Sequence, residues 1–238
     1  MSINLPPDQP KYQAWRHRMV AQLRERGITD TRLLAAMEKV PRHWFWSETL
    51  LDTLLYDVDK AVQIDCGQTI SRPMTVARQT QLLDLKPMMD VLEVGTGSGY
   101  QTAILCEMGV RVFTVERQNE LFRKTKQLLL QLHYNARCFL GDCSRGLPEM
   151  PGYKFDRILV TCGAPIIPQE LMRILRIGGI MVIPVGDCDL PSDPSMVTTQ
   201  HTNQRMLRIF KQGEDPSQWH IEECGEASFV PMLSGRQF

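Results

Sequence analysis

The chain lacks a surplus of charge, a long apolar run and a cysteine framework, and each absence closes off a class of function. Its 238 residues carry 27 Lys and Arg against 27 Asp and Glu, which leaves no electrostatic footprint for duplex DNA or an anionic membrane. No apolar stretch approaches the roughly 18 residues needed to cross a bilayer. The opening Met1-Ser-Ile-Asn-Leu-Pro-Pro7 has neither the basic nor the hydrophobic region of an export signal. The seven cysteines, at 66, 106, 138, 143, 162, 188 and 224, are odd in number and include no Cys-x-x-Cys. That pattern fits a reduced, cytoplasmic protein rather than a secreted disulfide scaffold. The five histidines pair with no cysteine at zinc-ligand spacing, so no metal is expected. Around Ser71 there is no Gly-x-Ser-x-Gly and no histidine in a nucleophile-activating motif, which argues against a serine hydrolase.

What is present centres on Val91-Leu-Glu-Val-Gly-Thr-Gly-Ser-Gly-Tyr-Gln-Thr-Ala-Ile-Leu105, a short apolar strand, a glycine turn and a helix. Gly95, Gly97 and Gly99 let the backbone turn sharply and approach a ligand. Tyr100 stands where a dinucleotide fold would often place its third glycine, which weakens the case for a pyrophosphate. Glu116 ends a second strand, Val110–Glu116, about 20 residues beyond the first glycine, where a carboxylate meets ribose hydroxyls. The ligand therefore reads as a nucleoside without a diphosphate, and S-adenosylmethionine fits best. A helix starting near Gly99 offers amide groups and a positive dipole end to its methionine carboxylate. Asp142 follows a third strand, where adenine would lie, although an Asp after glycine is also common in turns.

A chain of this length suits one domain with a small appendage, burying roughly 70–75% of its unfolded surface. The spacing predicts helices over 11–26 and from Asp30 or Thr31 to Val40, with Leu50 to Tyr56 extending this helical region. Residues 57–72 show no period and read as a loop, followed by a helix from Pro73 to about Leu85. Strands are expected near 90–95, 110–116, 136–140, 156–161 and 179–185, and helices near 99–108, 118–133 and 168–175. Such alternation implies a doubly wound α/β fold, a mainly parallel sheet with helices on both faces. A polar loop over 187–198 leads to two long strands, 205–211 and 219–232, placed as an antiparallel pair at the sheet edge. The expected organisation is a helical extension and active-site loop over 1–72, forming one compact unit with a cofactor-binding core over 73–238.

Gly67-Gln-Thr-Ile-Ser71-Arg-Pro73 is the less ordinary segment. The residue before a proline is pushed out of the helical region, so Arg72 should be the cap and Pro73 the first helical residue. Ser71 then lies outside the helix with its hydroxyl not needed for capping. Local physics alone leaves both a structural and a functional serine open.

Taken together, the chain resembles the protein-L-isoaspartate O-methyltransferases. The resemblance rests on Arg26-Gly-Ile-Thr-Asp30, Val40-Pro-Arg42, Gly67-Gln-Thr-Ile-Ser71, Val91 through Tyr100, Gly141-Asp142, Val160-Thr161 with Ala164-Pro165, Ile167-Pro168, Pro184-Val-Gly186 and Phe229-Val-Pro231. These run in the family's order from about Leu23 to Met232. The glycine motif is shared by many methyltransferases; the Thr-Ile-Ser segment and the Phe-Val-Pro ending are more particular. The resemblance implies a seven-stranded methyltransferase sheet and methyl transfer from S-adenosylmethionine to the α-carboxylate of isoaspartyl residues in damaged proteins and peptides. It implies Ser71 as the active-site serine. It places the cofactor on Gln68, Thr69, Ile70, Ser71, Glu93, Gly95, Thr96, Gly97, Ser98, Gly99, Glu116, Arg117, Gly141, Asp142 and Cys143. The isoaspartyl peptide would meet Thr161, Cys162, Gly163, Ala164 and the backbone near Val230. The chain departs from the family pattern at Gln63, Asp65, Cys66, Cys143 and Cys162-Gly163, and Asp65 adds negative charge beside a site meant for an anion. The expected enzyme is a monomer that needs neither nucleic acid nor membrane. Two rivals are a methyltransferase for another peptide or small carboxylate and a non-catalytic binding protein of the same fold.

Overall fold

The computed structural model describes residues 3–46, 55–142, 147, 149–186, 203–233 and 235. Helix α1 (Pro10–Glu25) starts on a proline, whose fixed φ suits the first helical position, and gives way to Gly27 at φ +93°. Helix α2 (Thr31–Lys39) is capped by the Asp30 carboxylate, which accepts from the Arg32 and Leu33 amides at 2.9 and 3.1 Å. It stops at Val40, extended ahead of Pro41. Of the predicted 50–56 extension only Leu55 and Tyr56 are described, in a tight helical turn.

The stretch 57–72 is more ordered than its sequence suggests. It holds a small antiparallel pair, β1 (Val62–Gln63) and β2 (Thr69–Ile70). Cys66 and Gly67, at φ +58° and +64°, make the turn between them, and the Ile64 amide donates to the Gln68 carbonyl at 2.8 Å. Two-residue strands are too short to show an alternation. Helix α3 (Pro73–Leu82) then begins as expected, with Arg72 at the cap and Pro73 first.

From Asp90 strand and helix alternate: β3 (Asp90–Val94), α4 (Tyr100–Glu107), β4 (Arg111–Glu116), α5 (Asn119–Gln131), β5 (Ala136–Leu140), β6 (Phe155–Val160), α6 (Gln169–Ile174), β7 (Leu175–Val185), β8 (Gln204–Lys211) and β9 (Trp219–Ala227). The last seven strands form one sheet in the order β5-β4-β3-β6-β7-β8-β9. Its first five strands are parallel, and β8 and β9 run antiparallel at one edge. The order reverses between β3 and β6, so the carboxyl ends of β3, β4 and β6 meet at the switch point where doubly wound sheets bind ligands.

Two expected boundaries move. Strand β7 begins at Leu175 rather than 179, because a shift of register against β6 absorbs Arg176 to Gly179, with Gly178 at φ +81°. Strand β9 leaves the sheet at Ala227, not 232. The predicted 187–198 loop lies outside the described residues.

The central strands β3, β4 and β6 are buried on both faces, and the sheet's alternating residues feed two clusters. Val91, Val112, Leu159 and Val182 pack with Tyr100, Leu129 and the N-terminal Met19, Leu23, Leu33 and Met37. Leu92, Phe113, Ile158 and Met181 pack on the other side with Leu147, Leu171 and Met172. The N-terminal helices thus share a core with the sheet. No described helix is long and apolar enough to cross a membrane.

Candidate active site

At the end of β3 the chain turns through Gly95, Gly97 and Gly99, at φ +97°, +53° and +86°, a region that L side chains rarely enter. Two of these glycines are also crowded. A Cβ on Gly95 would stand 2.4 Å from Thr161 Oγ1, and one on Gly99 would stand 2.7 Å from Thr125 Cγ2. Gly97 has open space instead.

Four elements brace the turn. The Gly95 and Thr96 amides donate to the Val115 carbonyl on β4 at 2.9 and 3.2 Å. Thr96 and Thr114 share a hydroxyl–hydroxyl bond of 2.7 Å. Thr125, on α5, donates to the Gly97 carbonyl at 2.6 Å. Thr161, past the end of β6, donates to the Val94 and Gly95 carbonyls at 2.9 and 2.7 Å. Ser98 Oγ accepts from the Tyr100 amide at 3.3 Å as α4 begins.

Glu116 lies beside this turn at the end of β4. Its two oxygens accept from the Gly97 and Gln118 amides, each at 3.0 Å. Each oxygen retains a lone-pair site for a further donor. Glu93 lies under the turn, with no solvent exposure. It accepts from Thr102 Oγ1 at 2.5 Å, and its other oxygen has no partner. Burial raises its carboxyl to about 7, opposed by the Thr102 and Thr114 hydroxyls and reinforced by Glu116.

The β1–β2 hairpin is tied to the same end of the sheet. Gln118 Nε2 donates to the Cys66 carbonyl at 3.3 Å, and the Cys66 thiol lies 3.8 Å from Glu120 Oε2 on α5. Gln68, Thr69 and Ile70 follow, with Ile70 buried. The Ser71 carbonyl accepts from Arg42 Nη2 at 2.7 Å, while its hydroxyl has no hydrogen-bond partner among the described residues. Arg42 stacks its guanidinium 4.6 Å from the ring centre of Tyr100, the first residue of α4.

On the other flank, Thr161–Ala164 forms an extended rail. The Gly163 amide donates to the Val230 carbonyl at 2.8 Å, and the Met232 amide donates to the Gly163 carbonyl at 2.7 Å. Ala164 is held between the Pro184 carbonyl and the Gly186 amide. Gln204 is buried behind the rail and bonds both the Phe229 carbonyl and the Phe229 amide, at 3.1 and 2.9 Å. A Cβ on Gly163 would stand 2.3 Å from Gln204 Nε2. This pairing draws residues 229–232 away from the sheet, which is why β9 ends early.

The expected residues therefore gather at one place: the glycine turn, Glu116, the Gln68–Ser71 hairpin arm and the Thr161–Ala164 rail with Val230. Gly141 is buried beside them, its amide donating to the Glu116 carbonyl at 2.9 Å. Asp142 and Arg117 are engaged by the C-terminal segment: the Gly235 amide donates to Asp142 at 2.6 Å, and Arg117 reaches the Gly235 carbonyl at 3.4 Å. Cys143 lies outside the described residues. Sequence reasoning missed Arg42, Gln118, Thr125 and Gln204. Arg42 sits in a quoted motif without an assigned role, and the others carry no local signal.

The site's chemistry suits a nucleoside with a cationic centre and no phosphate. Buried Glu116 offers a carboxylate to hydroxyl donors, and Gly97 leaves space for close approach, while no described Lys or Arg donates to the turn.

Comparisons with known proteins bear on the family. The protein-L-isoaspartate(D-aspartate) O-methyltransferase family model matches residues 14–237. A protein-L-isoaspartate O-methyltransferase of Cytophaga hutchinsonii is 46% identical over 222 residues, covering 93% of this chain and 92% of its own. One from Flavobacterium psychrophilum is 44% identical over 230 residues, covering 96% and 99%. A Plasmodium falciparum crystal structure, described as a protein-L-isoaspartate O-methyltransferase in complex with S-adenosyl-L-homocysteine, superposes with a TM-score of 0.73 over 92% of this chain and 98% of that one. At 22% identity that likeness speaks for the fold. A match over nearly the whole length, with relatives above 40% identity, places the chain in the protein-L-isoaspartate(D-aspartate) O-methyltransferase family.

Proposed function

We propose that the protein methylates the α-carboxylate of L-isoaspartyl residues in damaged proteins and peptides, using S-adenosylmethionine. The observation that carries this is the convergence of the Ser71 arm and the Thr161–Ala164 rail on the glycine turn, held by Arg42, Gln118 and Thr161. S-adenosylmethionine supplies a methyl group already activated by its sulfonium. Glu116 would accept from its ribose hydroxyls, and the turn from Gly95 to Gly99 would line its amino-acid end. Gln68 to Ile70, Arg117, Gly141 and Asp142 would enclose the rest, with Glu93 holding the floor of the turn from below.

The rail and Val230 would hold the isoaspartyl peptide through its backbone. Ser71 would donate its hydroxyl to one carboxylate oxygen and so aim the other at the methyl carbon. A carboxylate is ionised at neutral pH and needs no general base, so the absence of a histidine among the described site residues is no obstacle. The residues would act by alignment, for which about 7–11 kcal/mol is available in well-oriented reactions. Methyl ester and S-adenosylhomocysteine are the products.

The same proposal treats the extension over 1–72 and the core over 73–238 as one working monomer of the cytoplasm, needing neither nucleic acid nor membrane. Cys106, Cys138 and Cys224, in no disulfide among the described residues, suit a reducing compartment. A pair of peptides identical except for isoaspartate or aspartate at one position tests the assignment. Methyl transfer should favour the isoaspartyl peptide by at least about tenfold, the effect of roughly 1.4 kcal/mol in the transition state. Equal transfer to both would refute it.

A further inference from the structure

Arg42 is a buried cation with no counterion among the described residues. It has no solvent exposure and forms no ion pair with any described acid. Its Nε donates to the Leu55 carbonyl at 2.5 Å, its Nη2 donates to the Ser71 carbonyl at 2.7 Å, and its Nη1 has no partner. The titratable groups facing it are Tyr56 and Tyr100, both of which burial keeps protonated. Beyond Tyr56 lie His43, which bonds its hydroxyl at 2.7 Å, and Arg16, which is paired with Asp8. Burial lowers the guanidinium to about 10, so it remains charged at neutral pH.

A buried charge is costly unless something of opposite sign compensates it. Every other well-buried arginine among the described residues has an acid beside it: Asp8 for Arg16, and Asp84 and Asp156 for Arg157. Arg42 instead touches the backbone of the residue whose hydroxyl is unpartnered. We propose that Arg42 is a positioning residue that makes the surroundings of Ser71 an anion site: its charge, paired with no described acid and fixed against the Ser71 backbone and the Tyr100 ring, selects a carboxylate over a neutral group of the same shape. This rests on the isoaspartyl assignment above and adds the source of its charge selectivity. At a reach of about 7 Å and an effective dielectric of about 20, one such charge is worth at least about tenfold in affinity for an anion.

The test uses two peptides, one with isoaspartate and one with the α-carboxylate replaced by its amide, titrated into protein saturated with S-adenosylhomocysteine. Wild type should bind the carboxylate peptide at least about tenfold more tightly, and Arg42→Gln should abolish that preference by weakening the carboxylate peptide at least about tenfold more than the amide peptide. Arg42→Lys should restore it at pH 7. A buried ammonium loses its proton more readily than an exposed one, so in this variant the preference should fade as pH rises from about 7 to 9. Wild type should show no such fade. If Arg42→Gln does not fold, the pH profile of Arg42→Lys decides alone, and a flat profile overturns the proposal. Equal weakening of both peptides, or a preference that survives Arg42→Gln, also overturns it. A wild type that does not distinguish the two peptides refutes the isoaspartyl assignment itself.

Discussion

The two sides of the site are built differently. The proposed cofactor side centres on one continuous stretch, Val94 to Tyr100, whose glycines take conformations that other residues rarely enter and whose carbonyls and amides are held by Thr96, Thr125, Thr161 and Glu116. The proposed substrate side is assembled from distant pieces: Arg42, the hairpin ending at Ser71, the rail over 161–164 and the segment 229–232. A local motif can carry the first because its constraints lie within a few residues. The second exists only once the sheet has formed, and its parts are joined mainly through backbone carbonyls and amides that any residue could supply. Damage to the glycine turn should therefore cost stability as well as binding, whereas loss of the Ser71 hydroxyl should cost turnover alone.

The largest expected effect falls on the turn. Gly95→Ala places a methyl group against Thr161 Oγ1 and forces a side chain into positive φ. Left-handed strain of about 1–2 kcal/mol and overpacking of about 1–3 kcal/mol should add, with cofactor affinity falling in parallel. Denaturant titration and calorimetry check this; a variant as stable as wild type would break the contrast between the two sides.

Glu93 sharpens it through pH. Its folded-state carboxyl is raised to about 7 from an ordinary 4.5, so the stability it contributes is present at pH 4.5 and below and is lost as pH rises through 7. Glu93→Gln, which cannot ionise, should therefore be more stable than wild type at pH 8 by about 3 kcal/mol, with the advantage gone near pH 4.5. Thermal melts at both pH values measure it. An advantage that does not grow with pH would show that Glu93 is not held near neutrality.

Glu116→Ala should weaken S-adenosylmethionine binding by about 1.5–3 kcal/mol, the scale of hydrogen bonds to a charged group. Because Glu116 also accepts two backbone amides, some loss of stability should accompany it. Calorimetric titration showing unchanged affinity would remove Glu116 from the ribose site.

The same contrast explains what could be read from sequence. The strand–turn–helix at 91–105 and the acid at Glu116 stand out because glycine spacing and strand length are local properties. Arg72-Pro73 likewise foretells where α3 begins and leaves Ser71 outside it. The β1–β2 hairpin escapes notice because two-residue strands have no period. Strand β9 is drawn too long because Phe229 to Met232 continue as an apolar run while pairing with Gly163 and Gln204 instead of β8. Gln204 and Thr125 carry no signal of their own, since each stands between polar or charged neighbours and discloses its partner only when the chain has folded.

The central claim is that Ser71 aligns the substrate and does little else. It is tested most directly by the single-turnover rate of Ser71→Ala with cofactor and isoaspartyl peptide both saturating. Ser71 caps no helix and its hydroxyl has no partner among the described residues, so the variant should melt within about 0.5 kcal/mol of wild type. Methyl transfer should nevertheless fall at least tenfold, the effect of about 1.4 kcal/mol of lost alignment. A variant that transfers methyl at the wild-type rate, whatever its stability, would contradict the account.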